Sequence, residues 1–165
     1  MCDRCGDVSI GRHPFGIAER PAEQLIGLSW EGTYAEAAAG ALHPLIAEVQ
    51  ALARANRDPF SNSIVGISWN DLPGGFRYFV GTKRDDLLPS RPLVTEKLSL
   101  PAMRFASVWH GPEDGDVVQH YGAMLGWIGQ NGRKRDISVL HHREEYPLDV
   151  DLAAAPVLRL MLPIA

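Results

Sequence analysis

Hydrophobic and polar positions along the chain follow two patterns, an alternation with period two and a repeat at spacings of three and four. Alternating stretches of this kind predict half-buried β-strands. The predicted strands span 25–30, 63–70, 76–82, 93–100, 103–109, 137–146 and 157–163. The spacing of three and four predicts two long helices, over 35–56 and 116–131.

The two predicted helices carry recognisable start signals. Thr33 is expected to cap the first, and Asp116 the second, with Gln119 three residues further on as in a capping box. Pro44 lies inside the apolar run of the first helix. Its ring collides with the carbonyl one turn earlier, so the sequence predicts a kink at this point.

The order of elements in the first half of the chain returns in the second. Trp30-Glu31-Gly32 matches Trp109-His110-Gly111 at an offset of 79 residues, and each is followed by a helix and two strands. The repeat predicts an α+β fold of two strand–helix–strand–strand units related by a pseudo-twofold axis. We expect a curved antiparallel sheet with two long helices on one face and a ligand cleft between the repeats.

Turn-forming residues set the expected domain limits. Residues 1–20 are rich in glycine and proline and predict an irregular N-terminal tail, and 83–91 read as a linker. The remainder, 21–165, is expected to be a single domain, with repeat 1 over about 21–83 and repeat 2 over about 92–165.

The formal net charge of −4 argues against a broad phosphate-binding surface, so no direct nucleic-acid binding is expected. No apolar run is long enough to predict a membrane helix, and no membrane partner is expected. The N-terminus lacks a basic stretch followed by an apolar one, so a cytoplasmic location is expected.

Two groups of residues in the sequence could supply metal ligands. Cys2 and Cys5 have ligand spacing and His13 could be a third ligand, but a closed zinc site needs four. His141 and His142 are neighbours in a predicted strand and would face opposite ways, and with His110 they are interpreted as ordinary polar positions. We therefore predict no metal and no cofactor.

The stretch 137–146 carries the clearest chemical signal. Side chains alternate along a strand, so one face should carry Leu140, His142, Glu144 and Tyr146 and the other Val139, His141, Arg143 and Glu145. Glu144 then lies beside an aromatic ring on a face that begins apolar. This arrangement is typical of a pocket for a flat, apolar and cationic molecule, whereas Glu145 is expected to be solvated.

Four segments carry a family resemblance: 27–34 (GLSWEGTY), 64–71 (IVGISWND), 109–112 (WHGP) and 144–146 (EEY). In their order and spacing they resemble the GyrI-like small-molecule-binding domain, the effector-binding domain of AraC-type and multidrug-responsive bacterial regulators. The resemblance covers about 21–164. The family pattern of glutamate, any residue and tyrosine assigns the acidic role to Glu144. These 165 residues leave no room for a helix-turn-helix domain, so we expect the chain to be similar to the stand-alone members.

The resemblance implies binding of hydrophobic, cationic or aromatic small molecules in the cleft, with Glu144 as the buried acid. The expected ligand-binding residues are Glu144, Tyr146, Trp30, Trp69, Trp109, Tyr34, Tyr78 and Tyr121. For Trp30, Trp109 and Tyr121 the sequence leaves pocket lining and core packing equally open. Trp127 is expected in the core.

The resemblance also implies an alternative, because some stand-alone relatives are hydrolases that open strained cyclopropane rings of alkylating toxins. In that case Glu144 would be the general base, and Tyr146 or Tyr121 would donate a hydrogen bond. A protein partner, either a separate regulator or a gyrase, ranks lowest among the expectations.

Overall fold

The computed structural model describes residues 13–55, 63–83, 95–154 and 157–165. Its strands are β1 (Gly16–Arg20), β2 (Glu23–Thr33), β3 (Ile64–Leu72), β4 (Gly75–Lys83), β5 (Glu96–Leu100), β6 (Met103–His110), β7 (His142–Tyr146) and β8 (Leu158–Pro163). Its helices are α1 (Tyr34–Ala38), α2 (His43–Arg54) and α3 (Val117–Gln130), and a 3-10 turn (Pro112–Asp114) precedes α3. Cys2, Cys5 and most of the predicted linker lie outside the described residues, as do the first two residues of the strand predicted at 93–100.

The strands form one open, curved antiparallel sheet in the order β1-β6-β8-β7-β3-β4-β2-β5. The order is symmetric about the junction of β7 and β3, which we call the seam. Four strands lie on either side of the seam, and each long helix follows the strand that is third from it. The predicted α+β fold with a duplicated unit is confirmed.

The edge strands are exchanged between the repeats. β1 opens the first repeat but pairs with β6 of the second, whereas β5 opens the second repeat and pairs with β2 of the first. Residues 16–20 were expected to be part of an irregular tail, and the structure shows them as an edge strand instead. Their backbone N–H and C=O groups form hydrogen bonds with β6. Local composition does not reveal a pairing of this kind.

The registers of the outer strands set their repeat offset at 80 residues, one more than the sequence match suggested. Trp30 pairs with Tyr78 on β4, and His110 pairs with Leu158 on β8. Trp30 is therefore the counterpart of His110, not of Trp109. Because successive side chains of a strand point to opposite faces, this single step moves Trp109 to the other side of the sheet.

The predicted long first helix is two helices, α1 and α2, and not one kinked helix. The turn between them contains Gly40, whose φ of +96° is a conformation that favours glycine. Pro44 then lies in the first turn of α2, where its missing N–H costs no hydrogen bond. Thr33 caps α1 in a capping box with Glu36, as expected. Asp116 caps α3 by accepting from the Val118 N–H.

Apolar side chains fill both faces of the sheet. The buried residues of α2 and α3, among them Ile46, Val49, Met124 and Ile128, pack on the same apolar cluster, so both helices cover one face, the helix face. A second cluster on the opposite face contains Leu25, Val65, Ile67, Phe105 and Met161. No helix in the described part of the chain has the length and apolar character needed to cross a membrane.

The strand predicted over 137–146 is shorter than expected. Residues 137–141 are irregular, and the strand begins at His142. Leu140 is fully buried in the cluster on the opposite face, so it does not share a face with Glu144 as the alternation suggested.

Candidate ligand-binding site

Glu144 lies in the middle of β7, beside the seam, with its side chain on the helix face. Tyr146, two residues further along the strand, shares that face and donates its hydroxyl to Glu144 Oε2 at 2.7 Å. Tyr121 on α3 donates to Glu144 Oε1 at 3.0 Å. Each oxygen of this half-buried carboxylate thus accepts one hydrogen bond, one from a tyrosine of β7 and the other from a tyrosine of α3.

Burial raises the pKa of Glu144, although the hydrogen bonds from Tyr146 and Tyr121 act in the opposite direction. Burial and the nearby Glu144 charge raise the pKa of both tyrosines well above the usual value, so the hydroxyls stay protonated donors at neutral pH. Within the described residues, Glu144 forms no ion pair. The site therefore holds an acid that is short of both water and a counter-charge.

Tyr78 on β4 belongs to the same cluster. Its hydroxyl is buried and makes no hydrogen bond of normal geometry to any described residue, and burial and the Glu144 charge raise its pKa. Gly66 on β3 faces Glu144 across the seam, and a Cβ there would lie 2.4 Å from the Tyr78 hydroxyl oxygen. Because Gly66 has no side chain, the Tyr78 ring can occupy the space beside Glu144.

A histidine adjoins the tyrosines. The His142 ring meets Tyr121 edge-on with 4.7 Å between centroids, and Nη2 of Arg135 lies 3.4 Å from Nε2 of His142. Burial, followed by repulsion from Arg135, lowers the pKa of His142 to about 4, so its ring is neutral at physiological pH. Sequence reasoning missed Arg135, Gly66 and this contact because they depend on the packing of distant segments.

An aromatic row leads from the tyrosines toward the surface. Phe76 contacts the Tyr78 ring edge-on at 6.4 Å, Trp30 at 5.4 Å and Tyr34 in a stacked arrangement at 5.1 Å. Tyr34 is 51% exposed and forms the outer end of the row. Of the predicted ligand-binding residues, the structure thus brings six to one face: Glu144, Tyr146, Tyr121, Tyr78, Trp30 and Tyr34.

The other two predicted residues, Trp69 and Trp109, lie on the opposite face. Trp69 donates its indole N–H to the Val139 carbonyl at 2.8 Å and packs on the opposite-face cluster. The Arg159 guanidinium lies 5.8 Å from the Trp109 ring centroid. Strand alternation separates both rings from Glu144, which corrects their placement in the cleft. Trp127 packs against the helix-face core, as expected.

Glu145 is buried, in contrast to its predicted solvation. It receives two hydrogen bonds from Arg20, at 2.7 and 2.8 Å, and one from Arg143 at 2.9 Å. Arg143 also pairs with Glu23. Because these bonds and charges outweigh burial, the pKa of Glu145 is lowered to about 2. This ion cluster joins β1, β2 and β7 on the face opposite the candidate site.

The structure thus combines a duplicated sheet with an acid at its seam that accepts hydrogen bonds from two tyrosines. The chain belongs to the GyrI-like small molecule binding domain family, whose model matches residues 13–164. None of the curated protein sequences compared is significantly similar to it.

Solved structures with the same fold are distant in sequence. SAV2435 bound to tetraphenylphosphonium is 14% identical, with a TM-score of 0.64 over 93% of this chain and 94% of that one. The C-terminal domain of EcmrR is 15% identical, with a TM-score of 0.61 over 92% and 97%. A protein from Listeria innocua described as a hydrolase is 13% identical, with a TM-score of 0.58 over 95% and 94%. At these identities the similarity shows the shared fold alone.

Proposed function

We propose that this domain binds hydrophobic organic cations on the helix face of the seam, with Glu144 as the acidic determinant. The observation that carries the proposal is the state of Glu144, a poorly hydrated carboxylate with two hydroxyl donors and no cationic partner in the described chain. The contrast with Glu145 supports it, since two arginines already compensate the charge of that neighbour.

The surroundings of Glu144 favour a delocalised cation over a small hydrated one. A compact ammonium ion would lose strong hydration on entering an apolar site, whereas a cation shielded by aromatic groups loses little. The row formed by Trp30, Tyr34 and Phe76 offers ring faces for stacking and cation–π contact. The proposed ligand is therefore an aromatic or lipophilic cation. Tetraphenylphosphonium, bound by the structurally similar SAV2435, belongs to that class.

The test is a titration with tetraphenylphosphonium and with triphenylphosphine oxide, a neutral relative, followed by calorimetry and tryptophan fluorescence. Glu144→Gln keeps the size of the side chain and removes its charge. We expect the affinity for the cation to fall about tenfold or more, with a much smaller change for the neutral compound. Glu31→Gln, an exposed glutamate on β2, is the matched control and should leave both affinities unchanged.

Equal losses for both compounds in Glu144→Gln would remove the carboxylate from charge recognition. Absence of saturable binding to the wild-type protein by either compound would contradict the proposed function itself.

Hydrolysis is the second candidate, and the raised pKa of Glu144 favours it. A carboxylate with a raised pKa is a better general base at neutral pH, and Tyr121 and Tyr146 could donate to a leaving group or a bound water. The substrate class we propose is a strained, cyclopropane-containing electrophile, which water opens. Mass spectrometry of ligand recovered from the titrations separates the candidates: a hydrolase converts its substrate and loses turnover in Glu144→Gln, and a binding domain returns its ligand intact.

A further inference from the structure

Three local elements bring metal-ligating side chains together at the start of α3. His110 is the last residue of β6, Asp114 ends the 3-10 turn and His120 lies in the first turns of the helix. One donor atom from each of these side chains lies within 4.8 Å of the others. All three come from an eleven-residue segment, so their arrangement is set by local structure.

The two histidines meet in an unusual way. Nδ1 of His110 lies 2.7 Å from Nδ1 of His120, with 5.0 Å between the ring centroids. His110 is only 5% exposed, so its ring nitrogens have little access to water. The Phe15 ring contacts His120 edge-on at 5.8 Å and restricts the orientation of that imidazole. The contact therefore places one ring nitrogen of each histidine next to that of the other.

Asp114 adds an anionic ligand that is already oriented. Its Oδ2 accepts the Gly111 N–H at 2.9 Å, which fixes the carboxylate and leaves Oδ1 for another partner. A hydrogen-bonded ligand of this kind is typical of metal sites, where outer contacts hold the first ligands in position. Two imidazole nitrogens and a carboxylate oxygen suit Zn²⁺ and related divalent ions, and three protein ligands leave a position for water.

We propose that His110, Asp114 and His120 form a binding site for a divalent transition-metal ion of the zinc type. The ion would replace the close contact between the imidazoles by a bond to each; tetrahedral Zn–N bonds of about 2.0–2.1 Å place two nitrogens about 3.3 Å apart, so the rings would separate by about 0.6 Å. It would also fix the start of α3 against the end of β6. Tyr121, the residue after His120, would then be held where it donates to Glu144.

The test is a calorimetric titration of the full chain with Zn²⁺, after chelator treatment and in a Cys2→Ser/Cys5→Ser background that removes the competing thiols. We expect a single saturable site. His120→Asn and Asp114→Asn should each weaken Zn²⁺ binding about tenfold or more. The amide oxygen introduced by Asp114→Asn can still accept from the Gly111 N–H, so the fold is retained. His43→Asn, on an exposed histidine at the start of α2, is the matched control and should bind as the background does.

Titration with Co²⁺ gives a second readout that does not depend on heat. The background protein should develop visible d–d absorption that His120→Asn lacks. Absence of saturable Zn²⁺ binding in the background protein would overturn the proposal, and so would an unchanged affinity in both ligand variants. The imidazole contact would then be a hydrogen bond between the two rings alone. Neither result bears on the recognition of tetraphenylphosphonium by Glu144.

Discussion

Glu144 and Glu145 are adjacent in sequence, and their carboxyl groups lie in opposite electrostatic environments. Glu144 faces the helices and meets only hydroxyl donors, so burial dominates and raises its pKa. Glu145 faces the other side of the sheet and meets Arg20 and Arg143, so its pKa falls to about 2. Because side chains alternate along a strand, Glu144 lies on one face, where we propose that it meets a ligand, and Glu145 lies on the other, where its ion pairs stabilise the fold.

Because the pKa of Glu145 is lower in the folded than in the unfolded chain, its ionisation stabilises the protein above its ordinary pKa of 4.5. This contribution, about 3 kcal/mol, should disappear as the pH falls from about 4.5 to about 2. We expect wild type to be more stable than Glu145→Gln at pH 7 and the difference to shrink over that interval. Urea unfolding at a series of pH values measures it.

Glu144→Gln is the internal control for this experiment, because the pKa of Glu144 is shifted in the direction opposite to that of Glu145. A raised pKa in the folded state means that ionisation of Glu144 destabilises the fold; this cost is absent below its ordinary pKa, grows between the ordinary and the folded pKa and is constant above the folded pKa. The Gln variant should match wild type at low pH and exceed it at neutral pH. A constant difference across the pH range in either variant would contradict the assigned environments.

At the scale of elements, the seam between β3 and β7 depends on one missing side chain. Gly66 pairs with Glu144 across the seam, and the Tyr78 ring occupies the space above it. A glycine in a strand interior usually marks the close approach of another group, and here that group belongs to the site.

Gly66→Ala should destabilise the protein by about 1–3 kcal/mol, because the added Cβ would lie 2.4 Å from the Tyr78 hydroxyl oxygen. Tyr78→Phe alone removes a buried hydroxyl that makes no hydrogen bond of normal geometry to any described residue, so it should be nearly neutral. We expect the alanine to cost less in the Tyr78→Phe background. Thermal unfolding of the four proteins gives the coupling energy, and strictly additive effects would be evidence against this contact.

Local signals predicted most elements of the fold, and pairing between distant segments accounts for the differences. The α3 cap, the hairpin of β3 and β4 and the duplication are visible in the sequence. The edge strand at 16–20 is not, because its partner β6 lies more than eighty residues away. Pro44 was interpreted as a kink, although the nearby Gly40 permits a complete break.

The candidate site was predicted only in part, for a geometric reason. The pattern of alternation along β7 predicted that Glu144 and Tyr146 share a face, and that is where they lie. Matching the repeats by their tryptophans shifted the alignment by one residue and placed Trp109 beside Glu144, although it faces the other way. Strand registers come from backbone pairing, which no motif encodes, and so the contacts of Arg135 and Gly66 could not be predicted either.

At the scale of the whole molecule, the exchanged edge strands bind the two repeats together. β1 contributes Ala18 to the opposite-face core and Arg20 to the ion cluster around Glu145. The first strand of the chain is thus part of the second repeat in structural terms.

Deletion of residues 1–20 should therefore destabilise the domain by about 3 kcal/mol or more, since it removes one partner of a buried ion pair as well as the β6 pairing. Deletion of residues 1–12, which precede the family match, is the control. Chemical denaturation of both proteins measures the effect. Equal stability of the two would show that β1 contributes little to the fold.

The exchange also constrains how such a duplicated chain could arise. A single repeat would leave the outer edge of β2 or β6 without a neighbouring strand, and it could complete this sheet by exchanging edge strands with a second copy, as a homodimer. The eight-strand order would be the same, with a true twofold axis at the seam. Fusion of two copies lets the halves diverge: by the pairing of β3 with β4 and of β7 with β8, the counterpart of Glu144 is Gly66, which has no side chain. A symmetric ancestor would have carried this acid twice or not at all, and the fused chain carries it once.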